Sequence, residues 1–267
     1  MSPSNASRHT SLWAVLLLAP CLISLPLFAA PADSPEQTVK KGRELLEKAG
    51  VDPNATELKR ARPLFVAVTQ NSEAKSDLHA WAHYYLALTD YRTIPAVQKK
   101  DKEALTAHLE TAIRSAEKAI ELEPKHAEAH ALLSSLLGRK ISLDPSQTMT
   151  LGMRSSQLML TAKQIAPKNP RVLLLDGISK LHTPEQWGGG AKSALVLLTK
   201  SVEQFSAKEK ASKLEPTWGE DEAHAWLGVT QLKLGKRKRA RAAFERALEI
   251  NPKFDWVRKE LLPQCGE

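Results

Sequence analysis

Four times the chain writes one short pattern: Ala, two residues, Leu or Ile, one residue, Pro. The instances lie at 119–124 (AIELEP), 162–167 (AKQIAP), 211–216 (ASKLEP) and 247–252 (ALEINP). Residues three apart share a helix face, and a proline just beyond them stops the helix because it lacks an N–H and its ring clashes with the preceding turn. Each instance therefore reads as a helix C-terminus. After three of them a new helical pattern opens within a few residues, at 127–130 (AEAH), 170–173 (PRVL) and 221–224 (DEAH). The recurring unit is helix, turn, helix, proline. Such a unit cannot bury its apolar face alone, so neighbouring units must stack. Composition points the same way: aromatic residues are 5% of the 267, and the apolar content is mostly Leu and Ala, which favour helices over strands. With 25% charged and 42% hydrophobic residues, the chain is neither a disordered polymer, a collagen nor a multi-span membrane protein.

In the last unit the residues form a more specific signature. Leu227-Gly228, Gly235 in the turn, then Ala240, Phe244, Ala247 and Pro252 resemble the tetratricopeptide repeat, a 34-residue helical hairpin. Small residues at Gly228, Ala240 and Ala247 let two helices approach, and Leu227 and Phe244 fill the space between them. His224 and Gln231 stand where the family pattern has Trp and Tyr. Residues 221–252 carry the resemblance best. Elsewhere it is looser. Trp81, Tyr84 and Leu88 with Ala112, Ala116, Ala119 and Pro124 suggest an earlier unit, but its loop is about 15 residues longer than the period allows. Leu133, Leu137, Ala162 and Pro167 suggest another, with an insertion around 142–149. Gly177, Ala194 and Leu198 mark a fourth, and Ala61, Phe65 and Val68 a first. The resemblance implies an all-α solenoid of about five helix pairs with irregular loops, closed by a capping helix over 253–262 that gives the terminal repeat a polar face.

The resemblance also implies a concave groove lined by the first helix of each pair. Its register places Ala82 and Leu86, Ala131 and Ser135, Leu174 and Ile178, and Ala225 and Val229 there. Family members that clamp a terminal carboxylate carry Lys with Asn four residues on, and none of these pairs matches. The expected lining is small and apolar, suited to a partner helix or extended segment, unless the chain's own long loops fill it.

The first 32 residues are of another kind. Arg8 is their only Lys or Arg, and they contain no Asp or Glu. An apolar run from Leu12 continues past Pro20 to Phe28, and Ala30-Pro31-Ala32 offers small residues at alternate positions. This is the layout of a cleavable secretory signal, with the domain spanning 33–267. An uncleaved membrane anchor is the alternative, although Pro20 and Pro26 interrupt a run already short for a span. Cys21 follows Leu18-Ala19 as in a lipoprotein signal, but Pro20 occupies the place of a small residue. Removing the segment takes the net charge from +8 to +7 and leaves Cys265 as the one cysteine, so no intrachain disulfide can form.

Two phosphate-binding lures fail on their own criteria. Val172-Leu-Leu-Leu-Asp176 resembles a strand with a magnesium ligand, and Gly188-Gly-Gly-Ala-Lys192-Ser193 resembles a phosphate loop. That loop requires Gly directly before Lys-Ser and another five residues earlier, where this chain has Ala191 and Gln186. The pairs His79/His83 and His126/His130 each share a helix face, yet Ala80 and Ala127 replace the glutamate of zinc proteases and no third ligand follows. Neither an enzyme nor a cofactor or metal is expected. The densest charge feature is Lys233, Lys236, Arg237, Lys238, Arg239 and Arg241, spanning the turn of the last unit. It suits an anionic surface such as lipid headgroups; nucleic acid is not an expected partner, because no aromatics interleave. The reading is a periplasmic, non-catalytic scaffold that holds a protein partner in its groove. The alternative is an envelope-surface adaptor working through 233–241.

Overall fold

The computed structural model describes residues 33–266 apart from 53, 73, 99–100 and 208–213. The proposed signal segment lies outside the described residues. Among the described residues ten α-helices follow one another as five antiparallel hairpins: α1 (Pro35–Ala49) with α2 (Thr56–Thr69), α3 (Ser76–Gln98) with α4 (Lys102–Leu122), α5 (Ala127–Leu143) with α6 (Thr148–Ile165), α7 (Pro170–His182) with α8 (Ala191–Ala207), and α9 (Glu220–Lys233) with α10 (Arg237–Ile250). A π-helical turn at Trp256–Leu261 and a 3-10 turn at Leu262–Cys265 close the array. The architecture is the all-α hairpin solenoid that the sequence implies.

Local chemistry sets the boundaries. Ser34 and Gln37 form a reciprocal capping box at the start of α1, with Pro35 in the first helical position. Asp101 caps α4 by accepting from the amides of Glu103 and Ala104, and Asn169 caps α7 by accepting from those of Arg171 and Val172. Three of the four proline motifs end helices, at Leu122, Ile165 and Ile250. Of the fourth, residues 211–213 lie outside the described residues; α8 is described to Ala207, and Leu214 to Pro216 belong to a non-helical strap running on to Gly219. The expected long loops are also different in kind. The extra residues of the second unit lengthen α3 to 23 residues and α4 to 21, with Pro95 in the last turn of α3. Those around 142–149 become the end of α5, a 3-10 turn at Pro145–Gln147 and the start of α6. Inserted sequence with helical propensity continues a helix more cheaply than it forms a loop with unpaired backbone groups.

Inside the hairpins one device recurs. Glycine on the first helix admits a large side chain from the second. A Cβ on Gly42 would lie 2.6 Å from the Phe65 ring, one on Gly177 would lie 2.7 Å from Leu198, and one on Gly228 would overlap the Phe244 ring. Phe65, Leu198 and Phe244 are fully buried. At the C-terminal end Phe254, Val257, Leu261 and Cys265 are buried while Arg258, Lys259 and Glu260 face solvent, so the cap has the expected polar outer side. Burial raises the pKa of the Cys265 thiol.

The register of the last hairpin is open to direct test. Phe244→Ala is expected to lower stability by about 3–5 kcal/mol by leaving a cavity. Gly228→Ala, which forces the same contact apart, is expected to cost about 1–3 kcal/mol. Urea unfolding measures both, and parental stability in either variant would refute the packing.

Candidate functional site

The groove positions are not an open surface. Ala82, Leu86, Ala131, Leu174 and Ala225 are buried, and Ser135, Ile178 and Val229 are half-buried. The expected apolar lining is therefore corrected to an interior seam, and the chain itself fills it. The strap from Leu214 to Gly219 lies against α1, α3 and α7, and side chains of those helices take its carbonyl oxygens. Tyr85 Oη donates to the Leu214 carbonyl (2.6 Å) and Arg43 Nη1 to that of Glu215 (2.9 Å). Arg171 donates through Nη2 to the Pro216 carbonyl and through Nε to that of Trp218 (2.9 Å). Trp218 Nε1 donates to Tyr84 Oη at 3.1 Å, and the guanidinium groups of Arg92 and Arg171 lie 5.3 and 5.8 Å from the indole. Gly219 turns the strap into α9 at φ +111°, where a side chain would be strained and its Cβ would meet Phe205 at 2.9 Å.

Two further contacts bring distant parts of the array together. Arg92 on α3 pairs with Glu222 on α9 at 2.8 Å and donates to the Gly50 carbonyl at the end of α1. Val51, just beyond α1, packs on the cluster formed by Phe244, Phe254 and Val257. Deeper in, Arg171 is 2% exposed and pairs with the buried Glu128 at 3.2 Å. Burial, with the Glu128 carboxylate nearby, raises the pKa values of Tyr84 and Tyr85 and keeps both phenols protonated.

Beside the strap an open cleft of about 470 Å³ remains, between the N-terminal ends of α3, α5 and α7 and the end of α8. Its wall includes the half-buried Trp81 and the buried His126 and Glu128. The rings of Trp81 and His126 meet edge to face at 4.3 Å, and Tyr84 lies 5.0 Å from His126 on the other side. His126 is the cap of α5: its Nδ1 accepts from the Ala129 amide at 3.3 Å. Burial lowers its pKa to about 4, so above that pH the ring is neutral and its proton sits on Nε2. Neither His126 Nε2 nor Glu128 Oε2 has a hydrogen-bond partner within the protein. Glu128 Oε1, by contrast, accepts from Asn169 Nδ2 (2.8 Å) and Arg171. The charged residues lining the cleft are Asp77, Glu123, Glu128 and Glu215 against Lys125 and Lys168, an acidic balance.

The remaining sequence candidates fall elsewhere. Lys233 at the end of α9, Lys236 capping α10, and Arg237, Lys238 and Arg239 in its first turn are exposed, and none has an ion-pair partner among the described residues. Arg241 is half-buried, paired with Glu245 at 3.8 Å and bonded to the Gly266 carbonyl. The amides of the glycine loop are spent on the chain's own carbonyls: Gly188 on Glu185, Gly189 on Pro184, and Gly190 on Lys180 and Thr183. Val172 to Asp176 lie in α7, where Asp176 pairs with Lys163 at 2.7 Å. His79 and His130 make ring contacts to the carbonyls of Asn71 (2.8 Å) and Pro124 (3.0 Å). Among the described residues no group of three His, Cys, Asp or Glu is placed to hold a metal ion. Sequence reasoning misses Arg171 and Glu128. The available signal is a charge at each start of two otherwise apolar helices, Arg171 before Val-Leu-Leu-Leu and Glu128 within Ala-Glu-Ala.

Fold and packing together define an α-solenoid of stacked helical hairpins. The family profile of the tetratricopeptide repeat matches residues 221–254, the hairpin of α9 and α10 with the start of the cap. That hairpin carries a tetratricopeptide repeat, and the rest of the chain shares its helical-hairpin fold. Among solved structures it is similar to the HusA haemophore of Porphyromonas gingivalis, at 23% identity and a TM-score of 0.62, over 77% of this chain and 96% of that one. It is also similar to a thermophilic TPR protein of Thermus thermophilus, at 16% identity and a TM-score of 0.59, over 86% and 98% of the two chains. At these identities the likeness concerns the fold. No curated protein sequence matches the chain.

Two measurements probe this region. Arg171→Ala strands the Glu128 carboxylate in the interior and is expected to cost about 3–5 kcal/mol in chemical unfolding; an unchanged midpoint would remove Arg171 from its central place. For His126 the folded-state pKa of about 4 lies below the ordinary 6.5, so its contribution is full above pH 6.5 and is lost as pH falls toward 4. His126→Asn keeps a capping side chain without the titration. The stability gap between parent and variant is expected to shift by about 2 kcal/mol against the parent between pH 7 and pH 5. A gap independent of pH would show that the ring is not held neutral.

Proposed function

We propose that this chain is a non-catalytic protein-interaction scaffold of the bacterial periplasm, taking a segment of its partner in the cleft between α3, α5 and α7. The observation that carries this reading is the contrast between a groove filled by the chain's own strap and an adjoining cleft that stays open and lined by an aromatic ring and buried polar atoms. Tetratricopeptide arrays commonly present such surfaces to other proteins, and the size lies within the range of ordinary ligand sites. Export is supported by the layout of the first 32 residues and by the place where the fold begins: Ser34 caps α1 two residues past Ala32, so cleavage there leaves the cap intact. Among the described residues no helix is long and apolar enough to cross a membrane.

A second reading rests on the basic turn. Lys236 to Arg239 stand at the N-terminus of α10, whose first turn has no acid. The helix macrodipole disfavours cations there, by about 0.3–1 kcal/mol each at low salt, and an anionic surface would relieve that cost. This favours an envelope-surface adaptor as the alternative function.

One set of experiments separates the readings. Mass spectrometry of the periplasmic fraction is expected to find the chain beginning at Asp33; an intact N-terminus in membrane pellets would contradict export by cleavage. A photo-crosslinking residue at Lys125, on the cleft rim, is expected to trap a protein partner that the same residue at Arg239 does not. Trapping from position 239 alone, with binding to anionic vesicles that disappears on replacing Arg237, Lys238 and Arg239 by Gln, would favour the adaptor.

A further inference from the structure

The two ends of the hairpins differ in charge. Helices α5, α7 and α9 pack side by side, so the turns that follow them, 144–147, 183–190 and 234–236, lie along one edge of the array. Burial, then the charges of Lys233 and Arg139, lowers the pKa of His182, and the His182 ring meets that of Trp226 at 5.8 Å. The last turns of the three helices therefore share one electrostatic neighbourhood. Asp144 and Glu185 are the acids of the three turns, and the helical turns flanking them hold none. Lys180, Lys192, Lys233 and Arg237 to Arg239 stand there, without ion-pair partners among the described residues. Cations at the ends of α7 and α9 complement the helix dipole, whereas Lys192 and Arg237 to Arg239 stand at helix starts, where it opposes them. The cleft, at the other ends of α5 and α7, has the acidic balance.

The basic edge also leaves large apolar side chains in water. Trp187 in the α7–α8 turn is 67% exposed, and Met149 and Met153 in the first two turns of α6 are 68% and 63% exposed. The turn that carries Trp187 is tied down: its N–H donates to the Pro184 carbonyl (3.0 Å), and the Gly190 amide to those of Lys180 (2.8 Å) and Thr183 (2.9 Å). An indole held in water by a fixed turn, among unpaired cations, matches a membrane–water interface. There the ring lies at headgroup level and Lys and Arg meet the lipid phosphates. The contacts are spread over three turns rather than gathered in one pocket, which a bilayer surface can meet all at once.

We propose that the turn edge of the last three hairpins docks on an anionic bilayer, with Trp187 and Met149 entering the headgroup layer and Lys192, Lys233 and Arg237 to Arg239 meeting lipid phosphates. This rests on the basic-turn reading and extends it from one turn to an edge with an apolar anchor. The cleft, at the opposite helix ends, then points away from the membrane and stays free for a protein partner.

The probe is a vesicle of phosphatidylglycerol mixed with phosphatidylcholine, set against phosphatidylcholine alone. An environment-sensitive dye is placed on Gln186→Cys, which keeps Trp187, or on Lys125→Cys at the cleft, in the full chain with Cys21 and Cys265 replaced by Ser. On anionic vesicles the dye at 186 is expected to shift to the blue and to be quenched by brominated lipid, and the dye at 125 to do neither. The reporter at 186 reads this edge whatever the first 32 residues do. Raising salt from about 0.1 to about 1 M, which shortens the screening length from about 10 to about 3 Å, is expected to remove the shift. Trp187→Ala is expected to weaken binding on the order of tenfold, and Gln at 237, 238 and 239 roughly a hundredfold, with melting temperatures unchanged because all four side chains are exposed. A dye at 186 that stays in water, equal response to neutral vesicles, or parental binding by Trp187→Ala would overturn the proposal. Binding to an oligonucleotide but not to vesicles would overturn it as well. The underlying reading fails separately: vesicle binding that the triple variant loses while the dye at 186 stays in water keeps the basic turn and discards the edge, whereas vesicle binding that the triple variant retains discards both.

Discussion

The arrangement hangs on one buried guanidinium. Arg171, at the start of α7, holds Glu128 of α5, two carbonyls of the strap and the faces of Phe205 and Trp218. A charge so deeply buried is tolerated only when its donors are engaged, and a planar five-donor group can serve several partners at once. Each consequence follows from that requirement. The strap brings its carbonyls to Arg171 and so lies against α1, α3 and α7, beside the buried Leu174. Glu128 turns one oxygen toward Arg171 and Asn169, which leaves the other buried without a partner in the protein.

Around this point the hairpins supply the frame. Glycines facing Phe65, Leu198 and Phe244 set three helix pairs at close range, despite unequal loops between them. Arg92 ties the end of α1 to α9 through Gly50 and Glu222, and Val51 seals against the last hairpin. A repeat array ordinarily contacts nearest neighbours alone. Here the strap and Arg92 add long-range contacts between units far apart in the chain.

Much of the fold is legible in the sequence because repeats are local: proline stops, small residues and a glycine in the turn act within one hairpin. The last unit can be read almost residue for residue. Of the motif at 211–216 the described part, Leu214 to Pro216, belongs to the non-helical strap, where Arg171 takes the Pro216 carbonyl. The insertion after Leu88 reads as loop when period alone is weighed, whereas its residues favour helix. The groove register places its residues on one side of the array, yet nothing local in the sequence tells whether a segment 40 or more residues away in the chain will cover them; Arg171 and Trp218 are 47 apart. The cleft is invisible for the same reason. His126 and Glu128 read as part of a helix start, and only the packing of Trp81 and Arg171 around them gives the pair its character.

The central claim is that the concave seam is closed by the chain's own strap. Maleimide labelling of Leu174→Cys in a background with Cys21 and Cys265 replaced by Ser tests it most directly. The account predicts a reaction no faster than global unfolding, while a Lys125→Cys control on the exposed rim reacts at once. Labelling of position 174 at the rate of the control, in a protein that remains folded, would show the groove open and contradict the account.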